Sequence, residues 1–231
     1  MPFETEQDYA GIIGQYIPYF NLLDDGQKKR FINRTWHFRN AKNFHFTGIT
    51  EQKEMSILIS AAAVQLTFGL SKYKLSYFKD IYVLPDAYEM DSSRLLVIGH
   101  VSKKGIHISW KYFLQGYADS SDSVNVAIHE MAHALEYNSF IDHLDTCPEF
   151  INDFVKFPRV FGPSLAHVIV QKRSYLRTYA YTNLQEFWAV SVEAFFENPS
   201  ALKENMPDLY RSISEILNQD LTDGVRITTL L

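Results

Sequence analysis

The chain has one cysteine, Cys147, in 231 residues. An internal disulfide is therefore impossible, and nothing requires an oxidising compartment. An excess of positive charge is also missing: 22 Lys and Arg stand against 27 Asp and Glu, a net charge of −5. Nucleic-acid affinity rests on basic contacts to phosphate, so that class of partner is disfavoured. No apolar run approaches the ~20 residues of a membrane span. Met1 to Tyr9 is polar and acidic, unlike a signal peptide. These absences lead us to expect a soluble, cytoplasmic protein. Repeats, low-complexity tracts and linkers are missing too, which favours one domain over residues 1–231. Aromatic residues are plentiful: 17 Phe and 14 Tyr, enough to furnish a sizeable core.

Apolar spacing predicts a helix-rich chain with a small sheet. Residues 7–23 read as helix interrupted near Pro18, and Asp24 or Asp25 caps a second helix running to about Arg39. Thr50 is the expected N-cap of a helix that is apolar nearly all round, from Met55 to Phe68, with Gly69 at its end. Such a helix belongs at the centre of a domain. Strands are predicted at Asn43–Thr47, Asp80–Leu84, Leu95–Ile98 and Gly105–Trp110, with a loop from Gly116 to Ser123. Further helices are expected from Pro148 to about Val155, over 164–178, from Glu186 to Phe196, from Pro199 or Ser200, and from Pro207 to about Gln219.

The chemistry is carried by His129-Glu130-Met131-Ala132-His133, an H-E-x-x-H pattern on a predicted helix that Ser123 can cap. Residues i and i+4 lie one turn apart on one helix face. Two imidazoles so placed can point at one metal, and Glu130 between them can reach a water there. The helix is wrapped in apolar residues, so its two histidines and glutamate need partners.

A catalytic zinc usually has a third protein ligand. The H-E-x-x-H-x-x-G-x-x-H class is excluded, because Glu136 and Ser139 stand where its Gly and third His would be. His143 is further on, past the expected helix end, with no geometric argument behind it. Glu186 and Glu193 are seven residues apart on an otherwise apolar helix and face the same way. One could bind the metal while the other orients a histidine; periodicity does not choose between them.

Several linked motifs carry a resemblance. Glu186-Phe-Trp-Ala-Val-Ser-Val-Glu193-Ala-Phe-Phe196, preceded by Tyr179-Ala-Tyr-Thr-Asn183, resembles the MtfA (Mlc titration factor A) family of zinc peptidases. That family is distantly similar to the catalytic domain of anthrax lethal factor. Its H-E-F-A-H-x-L-D is similar to His129 through Glu136, with Glu136 where the family usually has Asp. Gly105 to Trp110, Ala61 to Leu70, Asn198 to Leu202 and Pro207 to Tyr210 resemble further family segments, so the likeness covers roughly residues 20 to 220.

The resemblance implies an α+β, zincin-like metallopeptidase domain with a small mixed sheet. It implies His129, His133 and Glu186 as ligands of Zn2+, with Glu130 as the general base. Tyr179 would face the reacting water, and Glu193 would act from behind the ligands. A similar role for Glu136 is open. A peptide or protein substrate follows, which the strand Gly105–Trp110 could hold along a sheet edge. His100 and His107 read as ordinary strand and loop residues. The family's name implies an alternative: a regulatory protein that sequesters a transcriptional repressor, with a zinc site of little catalytic use. The intact Glu130 speaks against that, since a structural zinc site needs no base.

Overall fold

A computed structural model describes residues 5–90, 94–119, 124–141, 147–162 and 175–227. The chain begins with α1 (Glu6–Tyr16), capped by a Thr5–Asp8 capping box. Ile17 is extended, and Pro18 starts the short α2 (Pro18–Asn21). Proline suits a first turn, where its missing N–H costs nothing. Asp24 caps α3 (Asp25–Asn40): its carboxylate accepts from the Gln27 N–H, and the Gln27 side chain reaches back to the Asp24 N–H.

The centre is α4 (Lys53–Thr67), in which every residue from Met55 to Thr67 is buried. Its cap is Gln52, whose side chain makes no capping bond, so the expectation of Thr50 as the cap is corrected. Helix α4 is held mainly by burial. The polar residues it buries are all bonded. Ser60 and Thr67 donate to carbonyls one turn back, and Arg39 donates to Ser56 Oγ. At its far end the buried Gln219 amide donates to the carbonyls of Gln65 and Leu66, while Tyr19 donates to the same amide's oxygen. Gly69 is required by close approach: a Cβ there would lie 2.3 Å from the Leu217 carbonyl oxygen.

One four-stranded mixed sheet lies beside the helix that carries His129 and His133. Its members are β1 (Asn43–Phe46), β2 (Asp80–Leu84), β5 (Gly99–Ser102) and β6 (Gly105–Ser109). The order is β1-β2-β6-β5, with the first three parallel and β5 antiparallel to β6. Between β2 and β5 sits a small hairpin of β3 (Tyr88–Glu89) and β4 (Leu96–Val97). The predicted strand Leu95–Ile98 therefore shrinks to two residues, and β5 is a strand beyond those predicted. More consequentially, Gly105–Ser109 is an interior strand, paired on both sides. It offers no free edge to a peptide; among the described residues the sheet's edges are β1 and β5, and β5 is the one that borders the cleft.

Ile81, Val83, Ile106 and Ile108 fill the core face of the sheet. On the other face His45, Tyr82, His107 and His100 stand opposite one another in register and stack, with centroids 4.7, 4.4 and 4.1 Å apart. His100 and His107 are thus part of an aromatic row that Tyr88 closes through a 2.8 Å bond between its hydroxyl and His100 Nδ1.

Helix α5 (Trp110–Ala118) follows β6 directly, so the loop expected from Gly116 starts later, after Ala118. Next come α6 (Val126–Ile141), α7 (Pro148–Phe154) and a helical stretch at 157–162. Of the predicted helix 164–178, residues 164–174 lie outside the described residues; 175–177 are not helical and Thr178–Tyr181 is a single 3-10 turn. Then α8 (Leu184–Glu197), α9 (Pro199–Asn205) and α10 (Pro207–Leu217) complete the helices. Helix α10 stops at Leu217 because Asn218 turns left-handed (φ 52°), two residues before the predicted end. A short pair, β7 (Gln219–Asp220) with β8 (Arg226–Ile227), comes last. No helix among the described residues is long and apolar enough to cross a membrane.

Candidate metal centre

The site is built on two buried helices packed against each other, α6 and α8. Helix α6 is anchored at its start by Asn125, whose side-chain oxygen accepts from the Ile128 N–H at 3.1 Å. Ser123, the expected cap, lies outside the described residues. Asn125 also donates its amide to the Gly116 carbonyl and its main-chain N–H to Glu193 Oε2 at 2.6 Å, tying α5, α6 and α8 together. Trp188, fully buried on α8, donates to the Ala132 carbonyl at 3.1 Å. That bond and the surrounding apolar side chains fix the two helices in register. Helix α8 itself is capped by Asn183, which accepts from the Glu186 N–H.

From α6, His129 and His133 bring their Nε2 atoms to 3.1 Å of each other. From the first turn of α8, Glu186 Oε2 lies 3.1 Å from His129 Nε2 and 3.5 Å from His133 Nε2. Oε2 of Glu186 is buried and makes no hydrogen bond among the described residues. These three side chains form the cluster in the described part of the chain that could hold a metal ion.

Glu193 lies two turns along α8 from Glu186 and is fully buried. Its Oε1 accepts from His129 Nδ1 at 2.7 Å and from Arg177 Nη2 at 2.5 Å. The Nδ1 bond orients the His129 ring so that Nε2 faces Glu186 and His133. The two glutamates that periodicity left equivalent are therefore separated: Glu186 converges with both rings, and Glu193 holds one ring from behind.

Burial opposes protonation of His129, but the Glu186 and Glu193 carboxylates outweigh it and pull its pKa up to about 10. Glu186 shifts the other way. Burial resists its ionisation, yet His129 and His133 hold its pKa well below the carboxylate range. In the metal-free protein, then, positive charge is already favoured at this point.

Glu130 lies beside the cluster, 5% exposed, with Oε2 buried and making no hydrogen bond among the described residues. Burial, opposed by the two histidines and helped by Glu186 and Glu193, raises its pKa to about 7. Glu136 lies on the cleft wall, its pKa also raised by burial. Tyr179 stands on the 3-10 turn, half exposed, its ring centroid 6.1 Å from that of His129. Burial, together with the charge of Glu186 beside it, lifts its hydroxyl to about 12. His143 lies outside the described residues.

His129, Glu130, His133, Glu136, Tyr179 and Glu186 border a cleft of about 680 Å³. Gly99, His100 and Val101 of β5 form its opposite wall, and Met90, Leu95, Val97, Phe140 and Ile141 give it an apolar end. The sequence offered little sign of β5, whose four residues are all half-buried and show no alternation. Gly99 was the one available hint.

Comparison with known proteins agrees with the motifs. Residues 3–217 match the family model for glucose-regulated metallo-peptidase M90. A relative named Mlc titration factor A, from Serratia proteamaculans, is 22% identical over 245 residues, covering 95% of this chain and 92% of the relative. An uncharacterised protein, slr2042, from Synechocystis is 22% identical over 223 residues, covering 88% of this chain and 80% of the relative. The chain belongs to the glucose-regulated metallo-peptidase M90 family, the MtfA family whose motifs it carries.

Proposed function

We propose that the protein is a zinc-dependent peptidase with His129, His133 and Glu186 as the metal ligands. The single observation behind this is the triangle of donor atoms, with edges of 3.1, 3.1 and 3.5 Å. A tetrahedral zinc with bonds of about 2.0–2.1 Å keeps its ligand atoms about 3.3–3.4 Å apart. Two neutral imidazoles and one carboxylate match its preference, and three protein ligands leave one position open. A Glu186 carboxylate oxygen and two ring nitrogens converging on one point give a donor set that suits a shared cation.

Zinc held there would supply Lewis acidity, lowering the pKa of a water from ~15.7 toward ~7 and polarising a peptide carbonyl. The remaining work falls to the chain. Glu193 and Arg177 hold His129 in the productive tautomer. Glu130, whose pKa near neutrality suits a proton acceptor, takes the proton from the attacking water and passes it to the leaving amine. Tyr179, still protonated at neutral pH, donates its hydroxyl to the oxyanion. An extended peptide would bond along the free edge of β5, so this role moves from Gly105–Ser109 to Gly99–Ser102.

The test is hydrolysis of a broad peptide library by purified protein, before chelation, after it, and after zinc is restored. Loss and recovery of activity with zinc supports a peptidase. The name of the Serratia relative favours a second reading, stoichiometric binding of a partner such as a transcriptional repressor. Zinc-loaded protein that cleaves nothing but captures such a repressor would establish that reading in its place.

A further inference from the structure

We propose that Gly99 is a positioning residue for Glu130: the absence of a side chain at the start of the edge strand sets where the carboxylate sits. The inference rests on Glu130 being the proton acceptor. A Cβ placed on Gly99 would lie 2.7 Å from Glu130 Cγ, 2.7 Å from Oε1 and 2.9 Å from Cδ. These are its three nearest atoms, and all belong to one side chain. The space that any other residue would fill at position 99 is filled by the Glu130 carboxyl group.

Backbone conformation does not explain this glycine. The glycines with positive φ are Gly48, Gly105 and Gly224, and Gly99 is not among them. It pairs with Ile108 in an ordinary antiparallel register, where glycine weakens a strand and alanine would be accepted. What demands glycine is the approach of α6.

The consequence is geometric. Glu130 has rotatable bonds enough to reach several positions, and its Oε2 makes no hydrogen bond that would choose among them. Gly99 supplies a wall instead. The carboxyl packs against Gly99 at the start of β5, in the space a side chain there would take. The strand along which a peptide would bind and the group that moves the proton are thereby fixed to each other. A side chain at position 99 would push the carboxyl off that line or push β5 away from α6.

The experiment is a double-mutant cycle of Gly99→Ala with Glu130→Ala, read by thermal unfolding of the metal-free protein. With Glu130 present, Gly99→Ala should lower the melting temperature by roughly 3–6 °C. With Glu130→Ala, the same change should cost nothing or raise it slightly, because alanine restricts the unfolded chain. An equal loss in both backgrounds would show that Gly99 serves something other than Glu130 and would overturn the proposal. On the zinc-loaded protein, Gly99→Ala should keep its metal and its KM while kcat falls at least tenfold. An unchanged kcat would equally refute the positioning role. A wild-type protein inactive on every peptide would defeat the peptidase reading, while the unfolding cycle would still decide whether Gly99 places Glu130.

Discussion

Replacing Glu193 with glutamine tests the architecture behind the proposed ligands. The carboxylate receives three donors: His129 Nδ1 at 2.7 Å and Arg177 Nη2 at 2.5 Å on Oε1, and the Asn125 N–H at 2.6 Å on Oε2. Glutamine keeps the shape but turns one oxygen into an NH2 group. Wherever that group points, it faces a donor. Oriented toward Asn125, it leaves a main-chain N–H at the start of α6 unpaired. Oriented the other way, it opposes both His129 and Arg177. A buried donor without a partner costs about 1–3 kcal/mol, and loss of the charge opposite Arg177 adds to that. Glu193→Gln should therefore destabilise the metal-free protein by about 2–4 kcal/mol in urea unfolding.

The same change loosens the His129 tautomer. Losing the group that orients a ligating histidine typically weakens metal binding 10–100-fold, or about 1.4–2.7 kcal/mol. Competition against a chromophoric chelator measures this directly. A variant with wild-type metal affinity and stability within about 0.5 kcal/mol would refute the reasoning, because it would mean that the three short contacts contribute nothing.

Other outcomes follow from the same geometry. Glu186→Ala should leave the fold intact and sharply reduce zinc content; full retention of zinc would remove Glu186 from the ligand set. Glu136→Gln should weaken metal binding less than Glu193→Gln does, and an equal or larger effect would give Glu136 the orienting role. In the metal-free protein, burial raises the Glu130 pKa from 4.5 in the unfolded chain to about 7. The folded state then holds a proton that the unfolded state releases, so stability from this group falls as pH rises from about 4.5 to 7. Glu130→Gln removes that loss: the variant should be more stable than wild type at pH 8, by up to about 3 kcal/mol, and no different near pH 4.5. A stability difference independent of pH would contradict the assignment. Zinc at a hundredfold excess over its Kd should add about 2.7 kcal/mol, which chelation would remove as a fall of roughly 5–11 °C in melting temperature.

Much of the site was legible because burial makes polar residues conspicuous. On α6 and α8 the apolar wrap is so dense that His129, Glu130, His133, Glu186 and Glu193 stand out as residues in need of partners. The division of labour between the two glutamates was not legible from spacing. Seven residues put both on one face, but the packing of α6 against α8, with Trp188 on Ala132 and Asn125 on Glu193, sets which carboxylate meets Nδ1 and which meets Nε2. Capping chemistry located α3 through Asp24 and failed for α4, whose start follows burial and uses no side-chain cap. Strand β5 was hidden because an edge strand half-buried along its whole length has no period. The interior place of β6 depends on that unseen neighbour. Helix α5 begins at the last residue of a strand pattern, with no Gly or Pro to mark the change.

The most direct measurement is peptide hydrolysis by Glu130→Gln with its zinc content determined on the same sample. The account predicts normal zinc stoichiometry and a rate at least about 10²-fold below wild type, the lower end of what a positioned proton acceptor contributes. Zinc bound normally and hydrolysis at the wild-type rate would contradict it.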